Sequence, residues 1–452
     1  MIKNHDELHE ECGVVAIWGD DNAAQLTYYG LHSLQHRGQE AAGIVVRNNK
    51  RKLNIHKGEG LVSEVFDKEK IKKLSGNAAI GHVRYSTAGG GGIMNVQPFL
   101  FRTLDGMMGI AHNGNIVNAN SLKKELEENG SIFNSTSDTE VLGHLIKRET
   151  GRFVDRICKS LEKIDGAFAF VILVEDALYV ARDRYGLRPL SMGRLPSGGY
   201  MFSSETCALD IAGAEFVRDV EPGEIIRVKD GIIKSKKYTE TLPICNKLCA
   251  MEYIYFSRPD SNLDGINVHT ARKTCGKTLF EEAPVEADLV IGVPDSSISA
   301  AIGYSEASGI PYEMGLIKNK YVGRTFIQPT QEMRERGVRM KLSAVSSIVK
   351  GKRVIMIDDS IVRGTTSKRI VKLLKEAGAT EVHVRIASPA IKFPCFYGVD
   401  ISTLEELISH RMNVEELCQF IEADSLAFIS MEGLKKSVKH DMDGNCDLCM
   451  SC

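Results

Sequence analysis

The sequence predicts two folds in tandem: an α+β first half made of two sheet layers with covering helices, and an α/β second half built on a parallel sheet. Three observations predict this. Short apolar stretches recur between glycine-rich turns from residue 12 to about residue 238. From about residue 285 the rhythm changes to strand, loop, helix, strand. At 452 residues, and at roughly 100–200 residues per domain, the chain has room for both.

In the first half the expected strands are "CGVVAIWG", "AAGIVVRNN", "NAAIGHVRY", "GMMGIAHNG", "GAFAFVILVED" and "EIIRVKDGIIK". "NSLKKELEENG" and "SDTEVLGHLIKRETG" read as helices that stop at glycine. In the second of these, Asp138 precedes Val141, Leu142 and Leu145, which share one helical face. The stretch near 239–284 reads as a linker into the second domain.

In the second half, "ADLVIGVPDSSISAAIGYSEASGI" is one strand–loop–helix unit. "GKRVIMIDDSIVRGTTSKRIVKLLKEAGATEVHVRIAS" is a clearer one. Val354 to Ile357 form a buried strand. Ile370, Leu373, Leu374 and Ala377 share a helical face. Gly378 stops the helix, and Val382 to Ile386 begin the next strand. A βαβ unit of this kind implies parallel strands.

Composition narrows the function. Fifty-seven basic residues nearly balance fifty-nine acidic ones, for a net charge of −2, which argues against a nucleic-acid partner. No apolar run is long enough to cross a bilayer, and "MIKNHDELHEE" has no signal-peptide core. A cytoplasmic protein without a membrane partner is expected. There, eleven cysteines are not a disulfide framework.

"VIMIDDSIVRGTTSK" places Asp358 and Asp359 at the carboxyl end of a strand, where α/β sheets bind ligands. Gly364 lets the backbone approach a phosphate; Thr365, Thr366 and Ser367 lead into a helix N-terminus that favours one. Paired carboxylates beside such a cradle suit ribose hydroxyls or magnesium. Alone, the same residues also suit a strand-end turn with a helix cap. In "VPDSSISAA", Asp295 and Ser296 can reach the same metal or a pyrophosphate, and alone also suit a helix N-cap. "KNKYVGRTFIQPTQEMRERGVRMK", with Lys318, Lys320, Arg324, Arg334, Arg336, Arg339 and Lys341, suits a lid over pyrophosphate and equally a solvated loop.

The Asp-Asp stretch resembles the phosphoribosyl-pyrophosphate (PRPP) motif of type I phosphoribosyltransferases. That resemblance implies a parallel-sheet domain in which Asp358, Asp359, Arg363, Gly364, Thr365, Thr366, Lys320 and Arg324 bind PRPP. It further implies Mg2+ at Ser296, Asp358 and Asp359.

"ECGVVAIWG" opens the first domain with Cys12. A thiolate is a strong nucleophile but needs a base. A chain that begins with cysteine supplies one in its own α-amino group, of pKa near ~8. This requires removal of residues 1–11 as a propeptide; an isolated Cys-Gly reads rather as a buried cysteine in a first strand. "HVRYSTAG" offers Arg84 and Thr87 as a carboxylate clamp. "AHNGNI" offers Asn113 and Gly114 as an oxyanion site. "TSDTE" offers Asp138 for an amino group. Each alone also suits turn or cap chemistry; together they are what glutamine hydrolysis needs.

With "LQHRGQEAAG", these stretches resemble the N-terminal-nucleophile glutamine amidotransferases. That implies a four-layer αββα sandwich, with Cys12, Asn113 and Gly114 catalytic and Arg84, Thr87 and Asp138 binding glutamine.

"NCDLCMSC" spaces Cys446, Cys449 and Cys452 as CxxCxxC, which suits zinc or an iron–sulfur centre. Cys249 and Cys395 alone read as small buried hydrophobes. One branch of the enzymes that join these two domains carries a 4Fe–4S cluster. The resemblance implies ligands Cys249, Cys395, Cys446 and Cys449, with Cys452 a possible substitute and Cys245 a weaker competitor. Cys158, Cys207, Cys275 and Cys418 are assigned to packing.

The expected organisation is a propeptide (1–11), a glutamine amidotransferase domain (12–238), a phosphoribosyltransferase domain (239–440) and a cysteine-rich tail (441–452). The combined resemblance implies transfer of ammonia from glutamine to C1 of PRPP, the first committed step of purine synthesis. It also implies inhibition by purine nucleotides and a homotetramer. Two rivals stand beside it: an amidotransferase with another acceptor, and a non-enzymatic regulator that senses PRPP.

Overall fold

The computed structural model describes residues 12–85, 92–103, 105–319, 342–399, 403–438 and 446–451. The first-half strands are β1 (Gly13–Trp18), β2 (Ala41–Arg47), β3 (Leu53–Glu59), β4 (Ala78–Arg84), β5 (Phe99–Thr103), β6 (Gly106–Ile116), β7 (Gly166–Val174), β8 (Leu178–Arg182), β9 (Ser191–Arg194), β10 (Tyr200–Ser203), β11 (Glu215–Asp219), β12 (Glu224–Lys229) and β13 (Ile232–Lys237). They form two antiparallel sheets, ordered β11-β9-β10-β1-β4-β2-β3 and β13-β12-β8-β7-β6-β5.

Alternation along β1 shows how the layers stack. Val14, Ala16 and Trp18 pack with Ala111, Ala169, Val171 and Val180 of the other sheet. Val15 and Ile17 face outward onto Leu31 of the helix Ala23–Ser33 and Leu209 of the helix Thr206–Ile211. The second sheet turns Ile110, Phe168 and Phe170 outward onto the helices Ala119–Glu128, Thr139–Arg148 and Phe153–Glu162. The result is the expected helix–sheet–sheet–helix sandwich.

The second half adds a small hairpin, β14 (Asn262–Leu263) and β15 (Ile266–Asn267), then β16 (Leu289–Gly292). It continues with the paired strands β17 (Leu316–Lys318) and β18 (Leu342–Ala344), then β19 (Arg353–Asp358), β20 (Glu381–Ile386) and β21 (Ser425–Phe428). The main sheet is parallel throughout, in the order β16-β19-β20-β21. Ile370 and Leu374 of the helix Thr365–Glu376 are buried against one face, as the periodicity predicts.

On the other face the helices Val268–Glu282 and Ile298–Ser308 touch through backbone. A Cβ on Gly276 would lie 1.9 Å from the carbonyl oxygen of Ala300, and one on Gly303 would lie 1.9 Å from that of Lys273.

The stretch 239–284 is more than a linker. Leu248, Met251, Tyr253, Ile254, Phe256 and Leu263 are buried in the second-domain core. Their apolar area is too large to leave in water. The Tyr253 hydroxyl donates to the Leu263 carbonyl at 2.8 Å. Across the domain boundary, Arg182 forms a bidentate pair with Asp264 at 3.0 and 3.2 Å.

Candidate active sites

Cys12 precedes β1, one step beyond the Gly13–Val83 pair of β1 and β4. It is half-buried, and its thiol Sγ donates to the Tyr85 carbonyl at 3.6 Å. Its own carbonyl accepts from Arg37 Nε at 3.2 Å. Arg84, at the end of β4, is buried. Gly38 lies flat against it: a Cβ there would come within 2.6 Å of the Arg84 carbonyl carbon. This accounts for the glycine of "LQHRGQEAAG".

Asn113 of β6 is fully buried, yet neither its Oδ1 nor its Nδ2 has a hydrogen-bond partner among the described residues. Leaving a buried amide unpaired costs roughly 1–3 kcal/mol. An oxyanion would accept from Nδ2 and offset part of that. Gly114 follows at φ +139, where a Cβ would meet the Ala167 carbonyl oxygen at 2.0 Å. Asp138 stands before the helix Thr139–Arg148 without capping it. One of its oxygens accepts instead from the Ile116 N–H at 2.9 Å. Cys12 and Arg84 are therefore carried at strand ends and Asp138 at a helix start, while Asn113 and Gly114 lie inside β6, paired with Ala169 and Phe168, and not in a turn.

Two residues here were not read from the sequence. His82 of β4 and His112 of β6 are both buried. A ring nitrogen of His82, Nε2, meets the His112 carbonyl at 3.1 Å and links the two sheets. Burial, then the charges of Arg84 and His112, push the His82 pKa down to about 3. Burial likewise lowers that of His112. The His112 ring stacks on Phe170 and meets the Thr139 hydroxyl at 3.2 Å, so it braces the strand next to Asn113. The histidine inside "AHNG" was the available signal.

In the second domain, Asp358 and Asp359 are buried at the carboxyl end of β19. The Ser296 hydroxyl donates to Asp359 and that of Ser297 to Asp358 at 3.2 Å. Gly364, at φ +74, precedes the helix Thr365–Glu376. The Thr365 hydroxyl at that helix start is buried without a partner among the described residues. Arg363 pairs with Glu406 at 2.7 Å. Asp295 pairs with Lys318 at 3.1 Å.

Among the described residues no three His, Cys, Asp or Glu side chains gather as a metal cage. Magnesium is ordinarily held by one or two carboxylates plus substrate phosphates and water, and Asp358, Asp359 and Ser296 fit that pattern.

The cysteines come from distant segments. Cys249 and Cys446 pair through their backbones. Burial pushes the Cys449 thiol up, and the nearby Cys395 and Cys446 push it further. Among the described residues these thiols do not gather as a ligand cage, though cysteine sulfur is the donor type that iron–sulfur and zinc sites use. Cys158, Cys207 and Cys275 are buried as expected; Cys418 is only half-buried, and its Sγ meets the Ala423 carbonyl at 3.3 Å. Residues 1–11, Thr87, Lys320, Arg324 and Cys452 lie outside the described residues.

Residues 89–210 match the glutamine amidotransferase domain family, and residues 270–389 match the phosphoribosyl transferase domain family. An amidophosphoribosyltransferase of Bacillus subtilis is 61% identical over 457 residues, covering 100% of this chain and 95% of the relative. The chain belongs to the amidophosphoribosyltransferase family. A Staphylococcus aureus amidophosphoribosyltransferase is 55% identical, over 97% of this chain and 89% of its own.

A solved amidophosphoribosyltransferase structure, described as glutamine PRPP amidotransferase from B. subtilis complexed with ADP and GMP, superposes with a TM-score of 0.92. It is 58% identical and covers 97% of this chain and 96% of that one. A second, described as the allosteric regulatory enzyme of purine biosynthesis, gives 0.93 at 59% identity, over 97% and 95%. The two rival readings, another acceptor and a non-enzymatic sensor, fall with amidophosphoribosyltransferase membership along the full chain.

Proposed function

We propose that this chain hydrolyses glutamine at one site and spends the ammonia at the other, making 5-phosphoribosylamine for purine synthesis. Freed by loss of residues 1–11, the Cys12 amino group takes the thiol proton. The sulfur attacks the glutamine side-chain amide carbon. The oxyanion rests on Asn113 Nδ2 and the Gly114 N–H. The tetrahedral adduct collapses to a thioester and ammonia leaves. Water then attacks the thioester, releasing glutamate and restoring the thiol. Arg84 and Thr87 hold the substrate carboxylate, and Asp138 holds its ammonium.

At the second site, Asp358 and Asp359 accept from the ribose hydroxyls of PRPP. Arg363, Gly364, Thr365 and Thr366 cradle its 5-phosphate, and Lys320 and Arg324 meet the pyrophosphate. Ammonia bonds to C1 as the bond to pyrophosphate breaks. Mg2+, held by Asp358, Asp359 and Ser296, would supply charge neutralisation for the leaving pyrophosphate.

The buried, unpartnered Asn113 amide on the strand facing the nucleophile's sheet carries this reading. Replacing Cys12 by alanine is expected to abolish glutamine-dependent synthesis while high ammonia still supports phosphoribosylamine formation. Asp358→Asn is expected to do the converse, keeping part of the glutaminase. Loss of both activities in a folded Cys12→Ala protein would refute separate sites.

The same reading takes Cys249, Cys395, Cys446 and Cys449 as ligands of one structural 4Fe–4S cluster, with Cys452 able to substitute. The Cys249–Cys446 pairing and the thiol crowding around Cys449 support it. Anaerobic iron and sulfide assay with a visible spectrum tests it; a colourless protein holding stoichiometric zinc would exclude iron. A cytoplasmic homotetramer inhibited by purine nucleotides completes the reading. The ADP and GMP in the B. subtilis structure's description support the nucleotide inhibition.

A further inference from the structure

The short turn Ile93–Asn95 and the residues after it are seated on both sheets of the first domain. A Cβ on Gly43 of β2 would lie 2.2 Å from the Gln97 carbonyl oxygen. Lys57 Nζ, on β3, donates to the Val96 carbonyl at 2.5 Å. The His112 N–H of β6 donates to Gln97 Oε1 at 2.7 Å. Asn95, Val96 and Gln97 are all buried. A segment gripped by three strands is a rigid support for whatever it holds.

From that support Asn95 reaches the segment that leads into Asp138. Its Nδ2 donates to the Thr136 hydroxyl at 2.9 Å, and its Oδ1 accepts from the Thr136 N–H at 3.0 Å. Glu140 holds the residues just before, accepting from the N–H groups of Asn134 at 2.9 Å and Ser135 at 2.8 Å. Thr136 itself is exposed, so tying it down adds nothing to the apolar core. What the double bond does fix is the path of the backbone two residues ahead of the Asp138 carboxylate.

We propose that Asn95 is a positioning residue for glutamine selectivity. Through Thr136 it sets where the Asp138 carboxylate stands, and so how strongly the site prefers a substrate that carries an α-ammonium group. This rests on the reading of Asp138 as the ammonium clamp.

The test measures glutaminase kcat and KM for glutamine, and the inhibition constant of glutaramate, which is glutamine without its α-amino group. It uses the full chain, unaltered and as Asn95→Ala, Thr136→Val and Asp138→Asn. Ammonia-dependent synthesis reports that each variant is folded. In Asn95→Ala the KM for glutamine is expected to rise by about tenfold with kcat little changed, the pattern of lost substrate binding, while the glutaramate constant holds. Thr136→Val keeps the N–H bond to Oδ1 and loses only the hydroxyl, so its KM should rise less, in the same direction. A general loosening of the site would weaken glutaramate as much as glutamine or lower kcat; either result in Asn95→Ala overturns the inference. Should Asn95→Ala fail to fold, Thr136→Val decides, and an unchanged ratio of the two constants overturns it. Asp138→Asn separates the inference from the reading beneath it. If that variant leaves the ratio unchanged, the ammonium clamp falls and Asn95 with it. If it changes the ratio and Asn95→Ala does not, only the role of Asn95 falls.

Discussion

The carboxylate of Asp138 accepts from the backbone N–H of Ile116 at 2.9 Å, which ties the start of one helix to the strand that carries Asn113. Its Oδ2 is occupied by that bond. Oδ1 lies 3.8 Å from His112 Nδ1 and accepts from the Thr139 hydroxyl at 3.4 Å. Asp138→Asn is expected to raise KM for glutamine by about tenfold or more, the loss of one charge-assisted contact, with a smaller effect on kcat. Steady-state glutaminase kinetics decide; an unchanged KM removes Asp138 from the clamp.

Asn113→Ala should lower glutaminase kcat by about 10²–10³-fold, the usual effect of losing one oxyanion donor. Stability should barely change, because the amide has no partner among the described residues to lose. Gly114→Ala should behave differently and destabilise the protein, since its Cβ would collide with Ala167. Kinetics paired with urea denaturation separate the two. A large stability loss in Asn113→Ala would mean the amide is structural.

Removing the Thr365 hydroxyl tests the phosphate cradle. The buried group bonds to nothing among the described residues, so Thr365→Ala should leave stability unchanged or slightly higher. KM for PRPP should rise by about 10- to 150-fold, the worth of one hydrogen bond to a charged group at about 1.5–3 kcal/mol. Equal KM values would leave the hydroxyl without a role in substrate binding.

His82 predicts a pH effect. Its folded pKa of about 3 lies below the ordinary 6.5, chiefly because it is buried. Between those values the unfolded chain binds a proton that the folded chain refuses. Its contribution to stability is therefore intact above pH 6.5 and is lost as pH falls, at up to about 1.4 kcal/mol per pH unit. Asp219 opposes this trend: burial raises its pKa to about 6. The informative quantity is thus the difference between the unaltered protein and His82→Gln. That difference should shift in favour of the variant between pH 6.5 and 5, measured by denaturant unfolding. Parallel pH profiles would show that His82 titrates normally.

Much of each site was legible because its chemistry is local or typed. Asp358, Asp359 and Gly364 lie within one strand–turn–helix stretch, so neighbouring residues alone indicate a phosphate cradle. Cys12 and Asp138 lie far apart, but each is a polar residue at the edge of an apolar strand or helix, and Asn113 is a polar residue inside an apolar strand. What stayed hidden depends on partners brought together by folding. Arg363 meets Glu406 and Asp295 meets Lys318, pairings that no short window contains. Arg37 donates to Glu252 across 215 residues of sequence. The segment 239–284 reads as a linker because the buried face of its helix Val268–Glu282, though spaced at the helical period, is made largely of Ala271, Arg272, Cys275, Gly276 and Thr278, small or polar residues that show no apolar stripe.

The Gly276–Gly303 crossing has a consequence for how this enzyme can change. The loop bearing Ser296 is anchored by Ile298–Ser308, a helix that meets its neighbour's peptide groups directly at Gly276 and Gly303, beside side-chain contacts such as Phe280 with Tyr304. At those two crossings there is no rotamer to adjust and no larger residue to insert. Any drift in nucleotide or sugar preference must therefore be negotiated in the loops above, upon a floor that selection has little means to tilt.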